Sequence, residues 1–113
     1  MLINENFLDE FLKKNNAYFA LVTNYQGKVV FSKKVSNENS IAAISAAIVA
    51  MCDKYVEDLK KTDLKQIILK TVDSILIFEK INQDYILIIS LKSEINLGII
   101  MHETELLAKN LNN

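Results

Sequence analysis

The spacing of apolar residues along the chain predicts three helices. In the first, Leu8, Phe11 and Leu12 recur at helical intervals, and charged residues fill the positions between them. Two later stretches repeat this period over a longer distance, and Asn37, Asn39 or Ser40 can cap the first of the two. The predicted helices cover residues 4–15, about 40–60 and about 96–110.

Five shorter stretches are rich in β-branched and aromatic residues and predict strands. The first two, residues 17–23 and 28–35, flank the sequence Asn24-Tyr25-Gln26-Gly27 and predict a hairpin. The other three cover residues 65–71, 74–81 and 85–92. Because only two or three residues separate them, they predict an antiparallel meander. The order α-β-β-α-β-β-β-α indicates an α+β fold, a two-layer sandwich of helices on a sheet.

The predicted central helix is more apolar than a single contact with a sheet requires. One face carries large residues, and we expect these to form the core face: Ile41, Ile44, Ile48, Met51, Cys52, Tyr55 and Leu59. In the first half of the helix the other side carries small residues: Ala42, Ala43, Ala46, Val49 and Ala50. Since a helix that is apolar all round is covered on all sides, we expect the small residues to meet a second helix.

Composition and charge narrow the class of protein. The 113 residues, half of them apolar, predict one globular domain over residues 1–113. The net charge is −1, which argues against nucleic acid as a partner. All 13 basic residues are lysine, so the chain cannot supply an arginine finger. The single cysteine and the lack of a long apolar segment predict a cytoplasmic protein that does not insert into a membrane.

The sequence contains no recognisable catalytic motif. A phosphate-binding loop is absent, and two glycines cannot build one. We expect His102 to lie at the surface of the last helix and Cys52 to act as a small core hydrophobe. Gly98 is expected to let that helix approach the sheet closely. We therefore expect no enzymatic activity, no catalytic residues, no cofactor and no metal.

The order of elements and three local segments resemble the roadblock/dynein light-chain family. The segments are the hairpin AYFALVTNYQGKVVFSKK, the alanine-rich helix IAAISAAIVAMCDKYVEDL and the run Asn96-Leu97-Gly98-Ile99-Ile100. The resemblance covers essentially the whole chain. It departs from the family at Met101, where a basic side chain is expected.

The resemblance implies a fold and a mode of assembly. The fold is a five-stranded antiparallel sheet with the central helix on one face and the terminal helices on the other. Members are similar in forming dimers through the third strand and the central helix, so we expect a homodimer or a pair with another roadblock chain. The interface expected from these elements and the small-residue face comprises Ala42, Ala43, Ala46, Val49, Ala50, Ile67 and Leu69.

The resemblance also implies a function without catalysis. Members serve as scaffolds or regulators of small Ras-like GTPases, or as motor and trafficking adaptors. The charged half of the central helix is the expected partner surface: Asp53, Lys54, Glu57, Asp58 and Lys61.

A second interpretation is a small-ligand sensor with a PAS/GAF-like sheet. Such a sensor needs an interior cavity with a few polar groups. The predicted strands carry Ile, Leu, Val and Phe with few polar interruptions, which favours a filled core. A dimer with a dry core supports the roadblock interpretation, and a monomer with a polar cavity supports the sensor.

Overall fold

The computed structural model of the protein describes residues 4–59 and 62–112, and within them the chain forms the predicted order of elements. The ends of these elements differ from the predicted ends by at most two residues. The bounds are α1 Glu5–Asn15, β1 Phe19–Asn24, β2 Val29–Lys33, α2 Glu38–Asp58, β3 Gln66–Lys70, β4 Ser74–Lys80, β5 Tyr85–Lys92 and α3 Leu97–Leu111.

The five strands of the described chain form one antiparallel sheet in the order β2-β1-β5-β4-β3. The last strand in the chain, β5, lies in the middle, where both of its faces are covered. This position suits its sequence, because every residue from Ile86 to Leu91 is buried. The predicted meander of β3, β4 and β5 is confirmed, and β2 and β3 form the two edges.

Helices cover both faces of the sheet, as the resemblance implies. Leu8 of α1 and Leu111 of α3 belong to one core cluster, which also contains Ile77 and Ile89 of the sheet. The other cluster joins Val49 of α2 to the opposite sheet face. Caps help to set the helix starts, since the side chains of Asn4 and Asn96 accept bonds from backbone amides of the first turns. The predicted α+β class is confirmed, and helices on both faces give the molecule three layers instead of two.

The predicted core face of the central helix is wrong in the main, although half-buried Ile41 and Ile48 do pack against the core cluster beneath α2. Four of its large residues are exposed, with exposed fractions of 55% for Ile44, 71% for Met51, 66% for Tyr55 and 49% for Leu59. The side that meets the sheet is instead Ala42, Ser45, Ala46 and Val49, all buried. Small side chains let the helix backbone lie close to the sheet. Both sides of the helix are apolar, so periodicity alone did not indicate which one faces inward.

Two residues expected to pack closely do not. Gly98 faces open space on α3, where an added methyl group would meet only the side-chain oxygen of Asn96 at 3.6 Å. Cys52 is half-exposed on a flank of α2 instead of buried in the core. The sequence interpretation placed Cys52 with the large residues, so it carries the same error in the rotation of the helix.

Candidate interaction surface

The outward side of α2 forms an apolar strip that no described residue covers. We define the outer face of α2 as Ile44, Ala47, Met51 and Tyr55, all exposed and spaced three or four residues apart. This spacing places them on one line along the helix. Large exposed residues in a continuous strip are unusual for an isolated chain, so this strip is a candidate contact surface for another protein.

The structure divides the predicted dimer contacts on α2. Ala42, Ala46 and Val49 are buried under the helix, against the sheet of the same chain, so they are not available to a partner. Ala43 and Ala50 are exposed. The prediction is therefore wrong for Ala42, Ala46 and Val49, because these small residues contact the sheet of their own chain and not a second helix.

Sequence reasoning missed the residues of the outer face. The signal was present, since Ile44, Met51 and Tyr55 fall on one stripe at intervals of seven and four. The sequence interpretation placed that stripe in the core because large apolar residues are usually buried.

The edge strand β3 is the second part of this surface. Within the described residues it is hydrogen-bonded only to β4, so β3 lies at an edge of the sheet. Ile67 is half-buried and packs into the core cluster beneath α2, whereas Leu69 is 38% exposed. Residues two apart point to the same face of a strand, so both side chains lie on the α2 side of the sheet. The pairing of β3 with a second copy stays a prediction.

Contacts near its two ends hold α2 across the sheet. Ala43 lies against Gly27 in the β1–β2 turn, and Asp53 forms an ion pair of 2.8 Å with Lys80 at the end of β4. Burial lowers the pKa of Lys80, but the hydrogen bond to Asp53 and nearby negative charge raise it more, so the net shift is upward. Because β1 and β5 lie between β2 and β4, the helix crosses several strands.

The five predicted partner residues do not form one cluster. Asp53 and Glu57 line a surface cavity of about 320 Å³ between α2 and the segment before β3. Lys54 and Asp58 form an exposed ion pair of 3.0 Å at the end of α2. Lys61 lies outside the described residues. The helical period places Lys54 and Asp58 in line with the outer face, so they extend that apolar strip with charge.

A buried carboxylate lies on the opposite side of the same edge. Glu79 of β4 is 5% exposed, and the side-chain amide of Gln66 on β3 donates a hydrogen bond to it. The same amide donates to the backbone carbonyl oxygen of Met101 on α3, at 3.2 Å. Burial raises the pKa of Glu79, partly offset by the bond from Gln66. Gln66 thus links the edge strand to its neighbour and to α3.

The polar groups of the described residues are relevant to the alternative interpretation, a small-ligand sensor. Their buried side-chain polar atoms all have hydrogen-bond partners. Thr104, for example, donates to the carbonyl oxygen of Ile100 at 2.7 Å. In residues 4–59 and 62–112, no His, Cys, Asp and Glu cluster is placed to hold a metal ion, and no helix is long and apolar enough to cross a bilayer.

Comparison with known proteins finds similar structures but no similar sequences. No protein-family model and no curated protein sequence matches the chain. MglB of Myxococcus xanthus superposes with a TM-score of 0.88 at 14% identity, over 95% of this chain and 89% of that one. An MglB with a tetrameric arrangement gives a TM-score of 0.86 at 18% identity, over 96% and 84%. A Roadblock/LC7 domain from Streptomyces avermitilis gives 0.77 at 13% identity, over 83% and 81%.

These similarities establish the fold. Each covers more than four fifths of both chains. The chain therefore has the roadblock fold, which confirms at the level of structure the resemblance seen in the sequence.

Proposed function

We propose that the chain is a dimeric, non-enzymatic roadblock-type scaffold or regulator that binds a small Ras-like GTPase. The observation that carries this proposal is the uncovered apolar outer face of α2, next to a free strand edge, in a chain with the roadblock fold. The partner class comes from the roadblock resemblance. A motor or trafficking adaptor is the other role that the same resemblance implies.

The proposed dimer pairs two outer faces of α2 about a two-fold axis. Pairing removes Ile44, Met51 and Tyr55 from water, and this burial stabilises the dimer by about 25 cal/mol per Å² of apolar area. Pairing of the β3 edges, with Ile67 and Leu69 on the α2 side, satisfies backbone groups that an open edge exposes. The tetrameric arrangement of an MglB supports the capacity of this fold to assemble. The second chain is a copy or another roadblock chain.

The GTPase is proposed to dock at the charged ends of the two α2 helices. Lys54 and Asp58 lie there beside the apolar seam and provide polar contacts at its rim. Rim charges mainly set association rate and salt dependence, whereas the desolvated centre supplies affinity. The chain has no arginine, so a stimulating effect on GTP hydrolysis has to come from positioning the GTPase's own groups.

Assembly is tested by sedimentation equilibrium at micromolar concentration. We expect the wild type to sediment as a dimer of the 12.9 kDa chain. Met51→Glu should be a folded monomer, because it places a charge in the seam without a partner. Ile99→Glu is the matched control, since Ile99 is 60% exposed on α3, and it should stay dimeric. A dimer that tolerates Met51→Glu would place the interface elsewhere.

GTPase binding is tested by titration calorimetry against purified small Ras-like GTPases of the source organism, loaded with GDP or a GTP analogue. We expect one GTPase to bind per dimer, and Lys54→Glu to weaken binding roughly two- to tenfold at low salt without changing dimerisation. Lys109→Glu is the control, because Lys109 also forms an exposed pair with an acid four residues away, but on α3. Equal loss in both variants would remove Lys54 from the site.

A further inference from the structure

The β1–β2 turn contacts helix α2 through a glycine. Gly27 has φ of +82°, a backbone conformation that glycine adopts without strain. A methyl group added there would lie 2.9 Å from the Cα atom of Ala43. Such a distance is a clash with helix backbone, so trimming a side chain of α2 would not relieve it. Either the turn or the helix would have to move.

The turn itself is firmly held. The side-chain oxygen of Asn24 accepts bonds from the amides of Gln26 and Lys28, at 3.0 and 2.9 Å. The hydroxyl of Thr23 donates to the carbonyl oxygen of Lys28 at 2.9 Å. The Tyr25 hydroxyl donates to the carbonyl oxygen of Asn82 in the β4–β5 turn at 3.2 Å. Three of these bonds keep the shape of the turn, and the fourth joins it to the β4–β5 turn. We therefore expect an added side chain at position 27 to be relieved by a shift of the helix.

Displacement of α2 would move its outer face. Ile44, the first residue of the outer face, directly follows Ala43, which touches Gly27. The other end of the helix is held by the side-chain pair of Asp53 and Lys80, which a long lysine side chain can preserve during a small shift. At the first turn of α2, the Ser32 hydroxyl of β2 donates to the carboxylate of Glu38, and this bond also joins side chains that can follow a small movement. A small tilt of the helix therefore keeps both contacts.

We propose that Gly27 is a positioning residue that sets how α2 lies on the sheet and thereby presents the outer face for pairing. This inference rests on the proposed dimer. A Cβ atom at position 27 shifts the N-terminal half of α2, so two outer faces no longer match along their length.

The test compares Gly27→Ala and Gly27→Asn with Gly98→Ala. Asparagine tolerates positive φ but carries the same Cβ atom, so it separates the clash from backbone strain. Gly98 has open space around it and is the matched control. We expect both Gly27 variants to weaken dimerisation by about tenfold or more, and Gly98→Ala by less than about twofold.

Backbone amide chemical shifts of residues 41–51 are measured in parallel, in a Met51→Glu background that keeps every sample monomeric. Both Gly27 variants should move these shifts, and the control should not. Unchanged shifts in the helix, or weaker pairing in Gly27→Ala but not in Gly27→Asn, would overturn the positioning role. A wild type that never dimerises would instead refute the proposed function, while the shifts still decide whether Gly27 seats the helix.

Discussion

The two faces of the sheet are covered in different ways. On one face, α1 and α3 contribute large side chains such as Leu8, Phe11, Ile100 and Leu111, all buried. On the other face, α2 meets the sheet mainly with alanine, serine and valine, and keeps Ile44, Met51 and Tyr55 on the outside. On the first face, large residues of the same chain fill the contact with the sheet, although α3 also exposes Ile99 and Leu106. On the second face, the outer face of α2 stays uncovered.

This difference shows how one helix can serve two contacts. Small inward residues bring α2 close to the sheet, so that contact needs little side-chain volume. The large residues then remain available for a second surface. The buried residues of α2 therefore stabilise the fold of the single chain, and its exposed large residues are left to bind a partner.

The largest expected effect is a difference in stability between glutamate variants of two neighbouring alanines of α2. Ala46 is 4% exposed against the sheet and Ala47 is exposed on the outer face. We expect Ala46→Glu to lower the free energy of unfolding by about 3–5 kcal/mol, because it buries a charge without a partner. In the monomer, Ala47→Glu should cost less than about 0.5 kcal/mol, but it should abolish pairing. Urea denaturation of both variants measures the difference, and similar costs would mean that the helix faces are assigned wrongly.

A second comparison uses one large residue from each face. Leu8 is fully buried between α1 and the sheet, whereas Ile44 is 55% exposed. Leu8→Ala should lower the free energy of unfolding by about 2–5 kcal/mol through lost burial and a cavity. Ile44→Ala should cost less than about 1 kcal/mol in a monomeric Met51→Glu background, while it weakens the dimer in the wild-type background. Thermal melts at several protein concentrations distinguish the two effects, since only a loss of pairing depends on concentration.

The smallest expected effect concerns the buried carboxylate of the α1 and α3 face. Burial raises the pKa of Glu79 above its ordinary value of 4.5, so the folded state binds the proton more tightly than the unfolded state. The resulting stabilisation is complete below pH 4.5 and is lost as pH rises through the folded pKa.

Glu79→Gln should therefore raise the free energy of unfolding at pH 7 by roughly 0.5–1 kcal/mol, with little difference near pH 4. Glutamine keeps an acceptor for the amide of Gln66. Urea denaturation at both pH values provides the measurement. A variant that is less stable at pH 7 would show that the ionised carboxylate stabilises the fold.

Much of the fold could be predicted from the sequence because local chemistry determines it. Asn4 and Asn96 precede α1 and α3 and cap them with their side chains, whereas Asn37, a cap predicted for the central helix, precedes α2 without a side-chain cap bond. The turn that contains Gly27 makes β1 and β2 antiparallel neighbours, and the short connections on both sides of β4 do the same for β3, β4 and β5. The continuous apolar run of β5 suits the centre of the sheet.

The site could be predicted only in part. The edge position of β3 was implied by the family resemblance, in which the third strand pairs across the dimer, and Leu69 is exposed there. The rotation of α2 on the sheet could not be predicted, because the spacing of apolar residues shows which helix faces are apolar but not which of them is buried. The contact between Gly27 and Ala43 joins residues far apart in the chain, and no local pattern of the sequence signals it.

The sequence by itself determined the elements, their order and the presence of more apolar surface on the central helix than one sheet can cover. These properties follow from the spacing of side chains along the backbone, which is a local quantity. The tertiary structure alone decided which side of α2 meets the sheet and which side stays exposed. That choice depends on how closely the helix backbone can approach the strands, and small residues such as Ala42 and Ala46 together with Gly27 permit the closer approach.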